Sequence, residues 1–103
     1  MVPPLNLQPM AKAIWKFKLK VTDKQSVEMP KGAQILSALV QHEQLCIWAL
    51  VNVDAEMESR TFEIFGTGNP VPDHVDAESN YKFIGTFMHY DGGFVGHIFE
   101  PYK

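Results

Sequence analysis

The sequence predicts an all-β domain, a small antiparallel sandwich or barrel of six to seven short strands. Hydrophobic and polar residues alternate with a period of two in several segments, which is typical of half-buried strands. Seven glycines and seven prolines divide these segments into short pieces. Twelve aromatic residues supply the bulky side chains that strands prefer. Short strands separated by frequent turns are typical of sandwiches and small barrels.

Size and composition indicate one globular domain over residues 11–103. The chain has 103 residues, of which 46% are hydrophobic and 20% charged, so a disordered chain, a coiled coil or a collagen-like fibre is excluded. The net charge of −3 argues against a generic nucleic-acid binder. The single cysteine, Cys46, excludes an internal disulfide framework and a multi-cysteine zinc site. Residues 1–10 hold three prolines and no basic residue, and we expect a flexible extension there.

The first patterned segment predicts a hairpin. Residues 14–21 alternate between apolar and basic side chains, which favours a strand with one buried and one solvated face. The buried set is Trp15, Phe17, Leu19 and Val21, and the solvated set is Lys16, Lys18 and Lys20. Residues 26–29 alternate again after a polar turn, so we expect the two segments to pair with each other.

Residues 34–42 and 45–53 are two apolar runs separated by a polar turn. We predict strands for both, although good helix formers in the first run leave a helix open there. The second run is apolar on both faces, which is typical of a central strand. Cys46 and Trp48 lie in it, and core packing is the favoured role for both. Stacking of Trp48 on a base is the alternative.

The remaining segments predict a strand, a long loop and a second hairpin. Residues 60–65 alternate, and residues 66–80 form the longest loop, with one helical turn as an option at 76–79. Residues 81–90 and 94–99 flank an Asp-Gly-Gly turn, which is a strong hairpin signal.

Six short motifs are spread over residues 14–100. They are Ile14-Trp15-Lys16-Phe17; Met29-Pro30-Lys31-Gly32-Ala33 with Ile35-Leu36; Cys46-Ile47-Trp48-Ala49-Leu50-Val51; Gly66-Thr67-Gly68 with Pro70; Ile84-Gly85-Thr86-Phe87; and His97-Ile98-Phe99-Glu100. Together they resemble a family of small uncharacterised bacteriophage and prophage proteins. The resemblance implies a phage accessory gene that acts on the host or on the infection cycle. It carries no enzymatic activity over to this chain.

Two segments are candidates for binding an anion. Gly66-Thr67-Gly68-Asn69 follows a strand, where backbone N–H groups can approach a phosphate, although a plain turn is the favoured alternative. Lys16, Lys18 and Lys20 form a basic stripe, whereas acidic residues gather between positions 54 and 63. This contrast can steer an anionic ligand or partner, and it also fits a solvated strand whose charge deters edge pairing.

His89 and His97 flank the predicted tight turn, so we expect them on neighbouring strands and near each other. Two histidines and a carboxylate can bind zinc. The spacing of a known zinc motif is absent, and ordinary surface histidines are the favoured interpretation. We therefore predict no metal and no cofactor.

The resemblance implies a phage accessory protein in the host cytoplasm, and the absence of catalytic motifs favours a non-enzymatic one. It would bind and sequester or inhibit a host factor, either a defence protein or an anionic, nucleotide-type ligand. The alternatives are a virion or assembly module, for which a homo-oligomer is expected, and a small metal-dependent hydrolase. No segment reaches the length of a membrane helix, so no membrane partner is expected.

Overall fold

Seven antiparallel β-strands form two sheets in the computed structural model, which describes residues 11–102. The strands are β1 (Lys12–Lys18), β2 (Lys24–Pro30), β3 (Gln34–Gln41), β4 (Gln44–Asn52), β5 (Met57–Gly66), β6 (Tyr81–His89) and β7 (Phe94–Pro101). The all-β prediction is confirmed, and residues 11–102 contain no helix. The extension predicted at residues 1–10 lies outside the described residues.

The two sheets enclose one core. Sheet A has the strand order β1-β4-β3, and sheet B has the order β2-β5-β7-β6. Ile47 of sheet A and Phe62 and Ile98 of sheet B are completely buried. Because side chains alternate across a strand, the neighbours of Ile47, Phe62 and Ile98 along their own strands point to the outer faces of the sandwich.

The predicted first hairpin is wrong, because β1 and β2 belong to different sheets. β1 pairs with β4, and β2 pairs with β5. The side chain of Gln25 accepts from the Lys20 N–H at 2.9 Å and donates to the Lys20 carbonyl at 2.6 Å. These two bonds give the Lys20 backbone groups partners that do not belong to a paired strand. The chain can therefore pass from sheet A to sheet B between β1 and β2.

Burial along β1 also differs from the expected pattern. Leu19 is buried and Phe17 half-buried, but Trp15 is 38% and Val21 39% exposed. Trp15 points toward the inner side of sheet A, since it lies opposite the buried Ala49. Its exposure means that sheet B does not cover this part of the edge strand.

The two apolar runs form a hairpin in sheet A. Residues 34–41 are a strand, so the helical alternative is wrong, and β4 is the central strand as predicted. A bulge between Ile35 and Ser37 displaces Leu36, which is half-exposed, whereas Ala38 on the inner face is buried.

The predicted last hairpin is confirmed. β6 pairs with β7 around residues 90–93, and a bulge interrupts the register between Phe83 and Gly85. The long loop at 67–80 is confirmed too, with an isolated turn in place of the optional helical turn. The Asp76 carbonyl accepts from the N–H of Asn80 at 3.3 Å and of Tyr81 at 3.0 Å.

Candidate functional site

The predicted glycine turn and His97 do come together, on the outer face of sheet B. Thr67 Oγ1 lies 2.7 Å from His97 Nε2, and Thr86 Oγ1 lies 2.9 Å from His97 Nδ1. The amide of Thr67 donates to the Val95 carbonyl at 3.0 Å. Both ring nitrogens of His97 are therefore occupied by threonine hydroxyls, and this arrangement fastens the start of the long loop to the sheet.

A second polar cluster fastens the other end of the loop. The hydroxyl of the buried Tyr81 donates to Glu63 Oε2 at 3.0 Å and lies 3.5 Å from His74 Nε2. Burial raises the pKa of Tyr81, and the hydrogen bond to Glu63 and its negative charge raise it further. The cluster keeps Tyr81 protonated and anchored, which is a structural role.

His89 lies apart from His97, so the expectation that the two are near each other is wrong. In the β6–β7 register His89 lies opposite Phe94, whereas His97 lies opposite Thr86 on the other face of the sheet. His89 Nε2 lies 3.0 Å from the Glu43 carbonyl, which links the β3–β4 turn to sheet B. In the part of the chain that the structure describes, no group of three or more His, Cys, Asp or Glu could hold a metal ion.

A cleft of about 650 Å³ lies between the β3–β4 and β6–β7 turns. Its walls include Val40, Glu43, Met88, His89, Tyr90 and Asp91. His89 Nδ1 is buried and has no hydrogen-bond partner among residues 11–102. Of the predicted site residues, only His89 lines this cleft.

Lys16 and Lys18 come together with Trp48 on the outer face of sheet A. Three rows of directly paired residues cross this sheet: Ile14-Leu50-Gln34, Lys16-Trp48-Ser37 and Lys18-Cys46-Leu39. We call this surface the lysine face and define it by Lys12, Ile14, Lys16, Lys18, Leu39, Cys46, Trp48 and Leu50. Lys20 lies beyond the end of β1, where its backbone is bound by Gln25.

The core-packing role expected for Trp48 is wrong, because the side chain lies half-buried on this outer face. Cys46 is buried as predicted, but it too belongs to an outward-facing row. Lys16 Nζ donates to Gln41 Oε1 at 3.0 Å, so its side chain crosses β4 to reach β3. Lysine stems laid across the sheet cover part of its apolar surface while the ammonium groups stay in water.

The lysine face combines positive charge with exposed aliphatic side chains. Ile14 is 61% and Leu39 58% exposed, and none of the residues that define the face is acidic. A chain of net charge −3 thus carries a local patch of positive charge. A cavity bordering the face beside Lys12 and Leu50 measures about 160 Å³. Pockets for small ligands usually measure about 300–1,000 Å³, so this surface fits a flat partner better than a small molecule.

Several residues of these clusters are not among the site residues that the sequence predicts. Ile14 is two residues before Lys16 in the same predicted strand, so alternation alone could have placed it on the face of Lys16 and Lys18. Leu39 and Leu50 depend on the pairing of β3 with β4. Thr86 belongs to one of the sequence motifs, but its contact with His97 depends on strand register.

Comparisons with known proteins identify a family but no activity. Neither the curated proteins nor the solved structures give a significant match. A family model described as a domain of unknown function (DUF7352) matches residues 10–103. The described residues contain no helix with the length and apolar character that crossing a membrane requires. Since the match covers nearly the whole sequence, the chain belongs to the DUF7352 family.

Proposed function

We propose that this chain is a non-enzymatic phage accessory protein that binds a host protein through the lysine face and inhibits it. The observation that carries the proposal is the lysine face itself, where Lys16 lies directly opposite Trp48 among exposed aliphatic side chains. The phage setting is what the resemblance of the sequence motifs implies, and a host defence protein is the partner that such a setting favours.

The chemistry of the surface supports a protein partner over a nucleotide. Small-molecule sites are concave, whereas protein interfaces are flatter and combine an apolar centre with a polar rim. Ile14, Leu39 and Leu50 provide aliphatic area around Trp48, a residue type that is common in binding hot spots. Three lysines from β1 line one side of this area and favour a partner of negative charge.

The outer face of sheet B has less capacity to bind a partner through its polar groups. His97 and Tyr81 already make hydrogen bonds within the chain. A ligand there would have to replace contacts of about 1 kcal/mol each that hold the long loop. On sheet A, by contrast, Lys12, Lys16 and Lys18 are exposed, and their charge is available to a partner.

Site-specific photo-crosslinking tests the proposal. A photoreactive amino acid replaces Leu39 on the lysine face or Glu28 on the outer face of sheet B, and the chain is produced in phage-infected host cells. We expect the Leu39 probe to form one dominant adduct with a host protein that mass spectrometry identifies. Equal adducts from both probes, or none from Leu39, would contradict the proposal.

Binding of the purified pair supplies the quantitative control. The double variant Lys16→Glu/Lys18→Glu is expected to weaken binding and to release the partner from inhibition. The matched variant Lys24→Glu/Lys82→Glu makes the same charge change on sheet B and should leave binding unchanged. If a nucleotide instead raises the melting temperature and Lys16→Glu/Lys18→Glu abolishes that shift, the ligand is a nucleotide and the protein-binding proposal is wrong.

A further inference from the structure

Among residues 11–102, the backbone of β1 has hydrogen-bonding groups without a partner beside the lysine face. β1 is the edge strand of sheet A, and among residues 11–102 it pairs only with β4. The Leu19 N–H donates to the Leu45 carbonyl, and the Val53 N–H donates to the Ala11 carbonyl, both at 2.9 Å. Because these bonds alternate along an antiparallel ladder, the odd-numbered residues of β1 bond to β4.

The even-numbered residues of β1 therefore direct their N–H and C=O groups away from β4. These residues are Lys12, Ile14, Lys16 and Lys18. Their side chains are the ones that stand on the lysine face. Free backbone groups and positive charge thus occur on the same four residues, and an edge of this kind can accept an additional strand.

We infer that the partner presents an extended segment that adds to β1 as a further strand, with carboxylates at alternate positions and apolar side chains between them. This inference rests on the proposed function and specifies the chemistry of the partner. Residues directly opposite Lys16 and Lys18 would lie on the lysine face with Cβ separations of about 4.5–5.5 Å. A carboxylate there is within reach of the Lys18 ammonium, and of the Lys16 ammonium once it leaves Gln41 Oε1.

The side chains on the inner side of β1 explain why the added segment should have apolar residues between its carboxylates. Trp15 is 38% exposed on the inner side of sheet A, and its ring centroid lies 6.4 Å from that of the half-buried Phe17. The intervening residues of an added strand would face this aromatic pair, because side chains alternate across the strand. A segment that alternates acidic and β-branched residues therefore satisfies both sides of the edge.

The same lysines discourage other partners. Positive charge on an edge strand repels a second copy of that strand and any basic segment. An uncharged strand would place apolar side chains beside the ammonium groups, which would then lose part of their hydration without gaining a charged partner. The edge therefore discriminates by charge as well as by hydrogen bonding.

Hydrogen exchange resolved at single amides tests the inference on the full chain. The probe is a capped peptide of alternating valine and glutamate with the length of β1. We expect it to slow exchange of the Lys12, Ile14, Lys16 and Lys18 amides by at least about tenfold, since these N–H groups gain partners. A peptide of the same composition with its valines and glutamates in two blocks should give no such protection.

Charge reversal provides the second arm. Lys16→Glu/Lys18→Glu should bind the valine–glutamate peptide about five- to tenfold more weakly, as expected from two exposed pairs. It should gain affinity for a valine–lysine peptide. Absence of edge-amide protection, or equal protection by the block peptide, would overturn strand addition. If the crosslinked host protein still binds in a Lys16- and Lys18-dependent manner without protecting these amides, only this inference falls and the proposed function stands.

Discussion

Gly96 on β7 lies directly opposite Phe87 on β6, and the phenyl ring covers the glycine. A Cβ at position 96 would stand 2.5 Å from Phe87 Cζ and 2.9 Å from Phe94 Cε2. Both Gly96 and Phe87 are buried. The absence of a side chain at this position therefore leaves room for the Cζ and Cε1 atoms of the Phe87 ring within the core.

Replacing Gly96 by alanine should destabilise the fold. The new methyl group must displace the Phe87 ring from a closely packed core, and such overpacking costs about 1–3 kcal/mol. Urea denaturation of Gly96→Ala measures the change in the free energy of unfolding. Gly85→Ala is the matched control on the paired strand, because its Cβ would meet only the Ala38 Cβ at 3.7 Å. Equal stability of the two variants would contradict this packing argument.

A second prediction concerns the ion pair between Arg60 and Glu100. Arg60 donates from Nε and Nη2 to the Glu100 carboxylate and from Nη1 to the Ala33 carbonyl at 2.9 Å. The hydrogen bond to Glu100 raises the pKa of Arg60, and burial opposes this effect. Arg60→Met should lower the free energy of unfolding by about 2–3 kcal/mol, because it leaves a largely buried carboxylate and a carbonyl without this donor.

The conservative variant separates charge from geometry in this pair. Arg60→Lys keeps the positive charge but lacks the planar fork that binds carboxylate and carbonyl together, so we expect an intermediate loss of stability. The double variant Arg60→Met/Glu100→Leu should recover part of the loss by removing the uncompensated carboxylate. Denaturant titration of the parent chain, Arg60→Met, Glu100→Leu and the double variant gives the coupling free energy. A coupling near zero would show that the pair contributes nothing to stability.

A pH dependence is expected from Tyr81. Its pKa is raised in the folded state, so below the ordinary tyrosine pKa of about 10 both states are protonated and its contribution is intact. As the pH rises further, the unfolded chain loses its proton first, and the free energy of unfolding falls. Melting temperatures across this alkaline range should therefore decline less steeply for Tyr81→Phe than for the parent chain. Tyr90→Phe, at an exposed tyrosine, should follow the parent curve.

Local alternation predicted the strands well because burial on one face imposes a period of two. Residues 26–29 of β2 and 60–65 of β5 follow this rule, and the glycines of the last turn mark the hairpin of β6 and β7. Pairing of strands distant in sequence was beyond this signal. β1 and β2 have the pattern of a hairpin, yet each contributes to a different sheet, and only the long-range partners β4 and β5 decide this.

The candidate surface was predictable only in part for the same reason. The lysine stripe of β1 is visible in the sequence, because Lys16 and Lys18 share parity. Its apolar neighbours come from β3 and β4 through register, and the hydrophobicity of its strand wrongly assigns Trp48 to the core. Thr86 likewise reaches His97 only because β6 and β7 pair in one particular register.

The last prediction concerns the turn between β3 and β4. His42 and Glu43 both have positive φ angles, 51° and 64°, as a type I′ turn requires. Residues with a Cβ are strained in this region, so Glu43→Gly should raise the free energy of unfolding by about 1 kcal/mol. The Glu43 carbonyl that His89 contacts belongs to the backbone and is retained. Guanidinium denaturation measures the gain, and Glu28→Gly, in the exposed face of a strand, should instead lose stability. A loss of stability in Glu43→Gly would contradict this prediction. It would mean that the Glu43 side chain stabilises the fold by more free energy than the strain of its positive φ angle costs.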